Sequence, residues 1–173
     1  LVQGHIAIQG MGSASDELER AAKTAADEGR TVLNQHQSYC EADAADDDAR
    51  WGRHPLVHLE DIGVLGPNAM FAHMNILRED EVAPILRSGM AISWNAPASM
   101  MWGVGGATQG RHAELYRAGV TVGLGSDSSN WANSFDIGRA AVTAILAARD
   151  GRRDRSILVA EDGLTMATIN GAK

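Results

Sequence analysis

Short strand candidates alternate with helical segments along the chain. Strands are predicted over residues 5–10, 31–37, 69–75, 90–95 and 120–126. Helices are predicted over residues 15–29, 56–63, 78–89, 111–119, 134–150 and 162–170. Because consecutive parallel strands need a crossover connection, usually a helix, this order predicts an α/β fold with a parallel sheet.

Two parallel architectures compete for this pattern. Five strand–helix units are too few for a closed eight-stranded barrel, although their spacing suits part of one. A Rossmann-type open sheet should carry a glycine fingerprint after its first strand, and residues 9–15 (QGMGSAS) lack its third glycine. The 173 residues form one domain in either case, with enough chain to bury a core.

Two local segments complicate the pattern. Residues 42–55 are polar and acidic, and they predict a solvated loop or helix rather than a calcium site, because EF-hand spacing is absent. Pro84 lies inside the helix predicted over residues 78–89 and is expected to kink it.

Composition excludes several functional classes. The formal net charge of -7 argues against a broad electrostatic contact with nucleic acid. Cys40 is the only cysteine, so no intramolecular disulfide forms, which suits a reducing cytoplasm. No apolar run is long enough for a membrane span, and no signal peptide opens the chain. Both ends fall in strand-like or helix-like sequence and are expected to be cuts through a larger protein.

Polar side chains close four of the predicted strands: His36, His73, Asn95 and Asp127. The carboxyl ends of parallel strands lie at the same edge of a sheet, and in a barrel they converge on one mouth, where active sites lie. Two imidazoles and a carboxylate are ligands that zinc accepts. The pattern therefore predicts a site that includes His36, His73 and Asp127.

Each of these residues also has a structural interpretation. A single histidine at a strand end is commonly a structural residue, and Asp127 could begin a turn or cap a helix. Surface or packing roles suffice for the other histidines, which are His5, His54, His58 and His112. The glycine-rich residues 103–110 lack the lysine of a P-loop and predict a flexible loop over the mouth. Residues 98–103 (ASMMWG) either line a pocket or pack in the interior, and Cys40 lacks the partners of a nucleophile.

Four longer stretches carry a family resemblance. They are VLNQHQS, HPLVHLEDIGVLGPNAMFAHMNILREDEVAPI, ISWNAPASMM and RAGVTVGLGSDSSNWANSFDIGRAA. Together they resemble the metal-dependent amidohydrolase superfamily. The closest branch is the chlorohydrolases and aminohydrolases, which include adenosylhomocysteine/methylthioadenosine deaminases and s-triazine hydrolases. The resemblance implies a partial (β/α)8 TIM-type barrel, approximately strands four to eight.

The resemblance also implies roles for particular residues. His36 matches a metal ligand, Asp127 matches a metal ligand that accepts a proton, and His73 matches the histidine that orients substrate and water. The implied cofactor is a divalent metal, zinc or alternatively iron, and the implied reaction is hydrolysis at a carbon of a small heteroaromatic ring. Substrate contacts are expected from five residues: Tyr39, Glu41, Trp94, Asn95 and Trp102.

The sequence departs from the family pattern at several points. No His-x-His pair occurs, Tyr39 stands where many members have a glutamate, and Trp94 stands where many have a histidine. The family's terminal β-sandwich is also missing. We therefore expect a fragment that binds metal weakly, has little activity alone and self-associates to cover its apolar edge.

Two other functions are compatible with the sequence. The first is a non-catalytic half-barrel that works as an assembly or binding module. The second is an open-sheet nucleotide binder that uses the glycine-rich loops.

Overall fold

A computed structural model describes residues 4–172 and shows a five-stranded sheet. All four pairings between neighbouring strands are parallel. The strands are β1 (Ile6–Gly10), β2 (Leu33–Gln37), β3 (Ala69–His73), β4 (Ala91–Trp94) and β5 (Thr121–Leu124).

The spatial order of the strands is the same as their order along the chain, β1-β2-β3-β4-β5. A doubly wound sheet reverses direction at a switch point, whereas a (β/α)8 barrel adds each strand beside the last. The sequential order therefore supports a partial barrel over a Rossmann-type sheet. Among residues 4–172 the sheet is open, because β1 and β5 do not pair with each other.

Helices follow every strand. They are α1 (Asp16–Gly29), α2 (Glu41–Trp51), α3 (Pro55–Asp61), α4 (Val82–Ser88), α5 (Ala96–Trp102), α6 (His112–Arg117), α7 (Ser129–Ala132), α8 (Ile137–Arg152) and α9 (Ala160–Ala167). Short 3₁₀ turns cover Glu79–Glu81 and Asn170–Ala172. Ser15 caps α1 as its sequence predicts, since its hydroxyl accepts a hydrogen bond from the backbone N–H of Leu18.

The core lies between the sheet and these helices. Alternate strand residues such as Leu33, Phe71, Ile92 and Val122 are fully buried there. Their neighbours Asn34, Met70, Ala91 and Thr121 point to the other face and are only half-buried. This second face corresponds to the interior of a barrel, so the sheet has one covered face and one partly open face.

The structure bears on three local predictions. The acidic segment forms α2, which resolves the loop-or-helix alternative. Pro84 is the third residue of α4, after a 3₁₀ turn, in the first turn of the helix, where the missing N–H leaves no intrahelical hydrogen bond unmade. Residues 103–110 do not cover the mouth. Arg152 on α8 instead donates hydrogen bonds to the carbonyl oxygens of Ala107, Thr108 and Gly110, at 3.1, 2.8 and 2.6 Å.

No helix within residues 4–172 has both the length and the apolar character that a membrane crossing requires.

Candidate active site

The three residues singled out at strand ends lie together. The imidazole rings of His36 and His73 are stacked, with centroids 5.1 Å apart and planes inclined by 18°. The Nε2 atom of His73 is 3.9 Å from Oδ2 of Asp127. These contacts place side chains from β2, β3 and the end of β5 at one edge of the sheet, as the parallel topology predicts.

His73 reaches this position through an unusual backbone. By strict alternation it should face the helices, because it pairs with Gln37, whose side chain donates to Asp47 of α2 at 2.9 Å. Its φ is +75°, and Met74 follows at +53°. This left-handed turn ends the alternation and lets the His73 ring stack on His36 of the inner face.

Asp127 also has a left-handed backbone, with φ of +62°. Its Oδ1 accepts a hydrogen bond from the backbone N–H of Ser128 at 2.7 Å, and its Oδ2 faces His73. Non-glycine residues in this region cost about 1–3 kcal/mol each and cluster at functional sites. The left-handed backbone of Asp127 is thus combined with a carboxylate oxygen that faces His73.

These side chains surround a cavity of about 240 Å³. A water molecule occupies about 30 Å³ of the liquid, so the cavity has room for a small ring rather than a single solvent molecule. Its walls are formed by Gln9, Met11, His36, Tyr39, His73, Asp127 and Trp131.

Burial sets the protonation of the site. His73 is 4% exposed, and this burial lowers its pKa to about 4, although the nearby Asp127 carboxylate opposes the shift. The imidazole is therefore neutral at pH 7. Burial, with a contribution from Asp127, raises the pKa of the Tyr39 hydroxyl, so that group remains protonated and able to donate.

The donor chemistry of the cavity suits a zinc-type metal, but the donors are too few. Nδ1 of His36 is buried and has no hydrogen-bond partner among residues 4–172. Two imidazoles and one carboxylate are ligands of the kind zinc accepts. Within the described part of the chain, however, no group of three His, Cys, Asp or Glu side chains is arranged to hold a metal ion. His36 and Asp127 thus offer part of a coordination sphere.

Three of the five residues expected to contact substrate lie at or beside the cavity. Tyr39 lines it, with its ring centroid 4.9 Å from that of His73 and the two rings inclined by 71°. Asn95 is buried behind it, with Nδ2 3.4 Å from Nδ1 of His73. Trp102 is 53% exposed and does not line the cavity itself, but its ring centroid lies 4.5 Å from that of the wall residue Trp131.

The other two are placed elsewhere. Glu41 forms an ion pair with Arg78 at 2.6 Å and is not part of the cavity wall. Trp94 is 2% exposed and stacks on His112 with centroids 4.5 Å apart. Residue 94 lies two positions after Ile92, so its side chain points to the helices and not to the inner face.

Sequence reasoning missed three wall residues. Gln9 is the last residue but one of β1 and Met11 directly follows that strand, so the rule that selected the other strand ends also identifies this position. Trp131 lies four residues after Asp127, on α7, and its ring centroid is 5.7 Å from that of Tyr39. An aromatic residue four positions after a candidate ligand was the available signal.

Comparison with known proteins identifies relatives of this chain. The amidohydrolase family model matches residues 1–173. The 5'-deoxyadenosine deaminase of Methanothermobacter thermautotrophicus is 30% identical over 159 residues, which is 92% of this chain and 36% of that protein. The 5-methylthioadenosine/S-adenosylhomocysteine deaminase of Thermococcus onnurineus is 30% identical over 156 residues, covering 90% of this chain and 36% of that protein.

Solved structures share the fold. An adenosine deaminase from Xanthomonas campestris with bound zinc superimposes with a TM-score of 0.89 at 23% identity, covering 96% of this chain and 37% of the other. An atrazine chlorohydrolase from Arthrobacter aurescens complexed with zinc gives a TM-score of 0.84 at 25% identity, covering 96% and 36%. The five strands match the C-terminal part of a TIM-barrel amidohydrolase, and the chain spans about 36% of the length of the relatives it matches. The chain belongs to the amidohydrolase family.

Proposed function

We propose that this chain carries part of the active site of a metal-dependent hydrolase that acts on a small heteroaromatic substrate. The observation that carries the proposal is the convergence of His36, His73 and Asp127 on one cavity. Relatives named as deaminases of adenosine derivatives favour cleavage of a ring C–N bond with release of ammonia. The chlorohydrolase among the structural neighbours makes cleavage of a C–halogen bond the alternative chemistry.

His36 and Asp127 would hold the metal, and residues outside this chain would complete its coordination. Zinc fits the imidazole and carboxylate donors, and two structural neighbours contain it. When bound, such a metal lowers the pKa of its water ligand and so supplies the nucleophile at neutral pH.

The remaining chemistry rests on side chains of this chain. Asp127 would accept a proton from the attacking water, and its carboxylate would return that proton to the leaving amine. His73, neutral because it is buried, orients the ring through its Nε2 atom. Tyr39 offers a hydroxyl where many family members have a carboxylate, so it acts as a donor rather than a base.

A second function is favoured by one observation. Among the described residues the metal ligands are incomplete. A non-catalytic half-barrel that assembles with a partner or a second copy of itself would need no metal, and it would use the partly open inner face of the sheet.

We place the protein in the cytoplasm because Cys40 is its only cysteine, and we expect no nucleic-acid partner because the net charge is -7.

Metal titration combined with an ammonia-release assay separates these functions. We expect the whole protein that contains this chain to hydrolyse 5'-deoxyadenosine, methylthioadenosine or an aminotriazine only when zinc is present. The 173-residue chain should bind zinc weakly and turn over slowly. A stable oligomer without metal dependence in the whole protein would support the assembly module instead. Rapid turnover by the isolated chain would contradict the view that its coordination sphere is incomplete.

A further inference from the structure

The peptide unit between His73 and Met74 is held at both of its polar ends. Residues 73 and 74 both have left-handed backbones, which is rare for side chains of this size. The N–H of Met74 donates to the carbonyl oxygen of Gln37 at 3.0 Å. On the other side, Nε2 of His112 lies 2.7 Å from the carbonyl oxygen of His73. The strained turn that aims His73 is thus fixed by one backbone and one side-chain hydrogen bond.

The donor in the second bond is a single buried imidazole. A carbonyl oxygen only accepts, so Nε2 of His112 must carry the hydrogen. His112 is 1% exposed, and burial lowers its pKa to about 4, which keeps it neutral with one N–H to donate. Its other nitrogen, Nδ1, has no partner among residues 4–172.

The His112 ring cannot easily turn away from this carbonyl. It stacks on Trp94 with an interplanar angle of 3° and a centroid distance of 4.5 Å. A methyl group at Gly110 would lie 2.5 Å from Cε1 of His112, so the backbone closes over its other side. The ring is therefore packed on two sides, and its N–H points in one direction.

We propose that His112 is a positioning residue for the reaction: by holding the carbonyl of His73, it directs the His73 ring into the cavity, where substrate and water would bind. As a claim about catalysis this rests on the proposed function, whereas the effect on the orientation of His73 does not depend on it. His112 touches neither the cavity nor Asp127, and it acts only through the 73–74 peptide.

Three variants of the whole protein test the role. His112→Phe keeps a ring against Trp94 and removes the donor, while His112→Gln restores an N–H at similar reach. The control is His58→Phe, because His58 also stacks on a tryptophan, Trp51 at 4.4 Å, and bonds an acid, Asp16 at 2.9 Å, away from the cavity.

Crystal structures of the variants give φ of residue 73 and the distance between the His36 and His73 rings, and assays give kcat and KM. We expect His112→Phe to shift the His73 ring and to lower kcat about 10- to 100-fold with KM nearly unchanged, the size of effect that a small misplacement produces. His112→Gln should recover most of kcat, and His58→Phe should change only the melting temperature.

Two results would overturn the proposal. One is an unchanged His73 geometry and kcat in His112→Phe. The other is equal loss of kcat in the Phe and Gln variants, in proportion to their loss of stability. If the whole protein shows no turnover at all, the proposed function fails, and the crystallographic geometry of residue 73 still decides whether His112 positions it.

Discussion

The rings of His36 and His73 stack with their centroids 5.1 Å apart. The two residues lie on neighbouring parallel strands, and from the alternation of each strand their side chains are expected on opposite faces of the sheet. His36 follows the alternation of β2 to the inner face. His73 joins it there because its left-handed backbone turns its side chain across the end of the sheet. The pair forms one wall of the cavity, and Asp127 faces it from the end of β5.

The carboxylate of Asp127 is predicted to be indispensable. Asp127→Asn keeps the shape of the side chain, and its amide oxygen can still accept the hydrogen bond from the N–H of Ser128. It loses the negative charge that would bind a metal ion and the capacity to take up a proton. We expect turnover of the whole protein to fall about 10²- to 10⁴-fold, with weaker zinc binding in calorimetry. The exposed Asp46→Asn on α2 is the matched control and should retain full activity. Retention of activity by Asp127→Asn would exclude its role as proton acceptor.

Trp131 is predicted to bind the face of the substrate ring. It lines the cavity, contacts Tyr39 edge-on and is backed by Trp102, whose Nε1 donates to the Trp131 carbonyl at 3.1 Å. Losing an aromatic contact of roughly 1.4 kcal/mol corresponds to about a tenfold change in affinity. Trp131→Leu should therefore raise KM about tenfold with little change in kcat. Trp51→Leu, at a tryptophan outside the cavity, should leave KM unchanged.

The buried carboxyl of Glu19 is predicted to make stability fall as pH rises. Glu19 is 2% exposed, and burial raises its pKa from 4.5 to about 7, against the hydrogen bond from Gln35. The folded state therefore binds this proton more tightly than the unfolded state, so stability is lost between about pH 4.5 and pH 7 and stays lower above that.

Glu19→Gln removes this titration. The free energy of unfolding of the variant minus that of the parent protein should increase from pH 5 to pH 8 by an amount on the order of 3 kcal/mol. Urea unfolding at both pH values measures this difference. Glu28→Gln, at an exposed position of the same helix, should follow the parent at both. A Glu19→Gln difference that does not grow with pH would show that the carboxyl is already ionised.

Gly151 is predicted to be required for packing rather than for flexibility. It lies within α8, where alanine normally favours helix by about 1 kcal/mol. A methyl group at this position would overlap the carbonyl oxygen of Ala107, which Arg152 also holds. We expect Gly151→Ala to lower the free energy of unfolding by about 1–3 kcal/mol. Gly138→Ala, near the start of the same helix, would bring its methyl group no closer than 3.2 Å to a side-chain oxygen of Asp136, so it should cost less than Gly151→Ala in the same denaturation experiment.

Much of the fold was determined locally in the sequence. The five strands and most helices follow from the alternation of patterns, because strand and helix periods and caps such as Ser15 are properties of short segments. That His36, His73 and Asp127 lie at one edge of the sheet also followed from sequence, since parallel strands bring their carboxyl ends to one edge. The roles assigned to these residues remain predictions that the experiments above test.

The tertiary structure decided which face each side chain occupies. Trp94 was expected near substrate. Because it lies two residues after Ile92 on the same strand, its side chain is on the same, helix-covered face of the sheet, where it stacks on His112. Sequence position alone also placed Glu41 near the site, whereas Arg78, distant in sequence, draws it into an ion pair. The left-handed turn at His73 and Met74 could not be read from residue types that normally avoid it. That turn is stable because Gln37 and His112, one on each side of the peptide, supply hydrogen bonds that only the folded chain brings together.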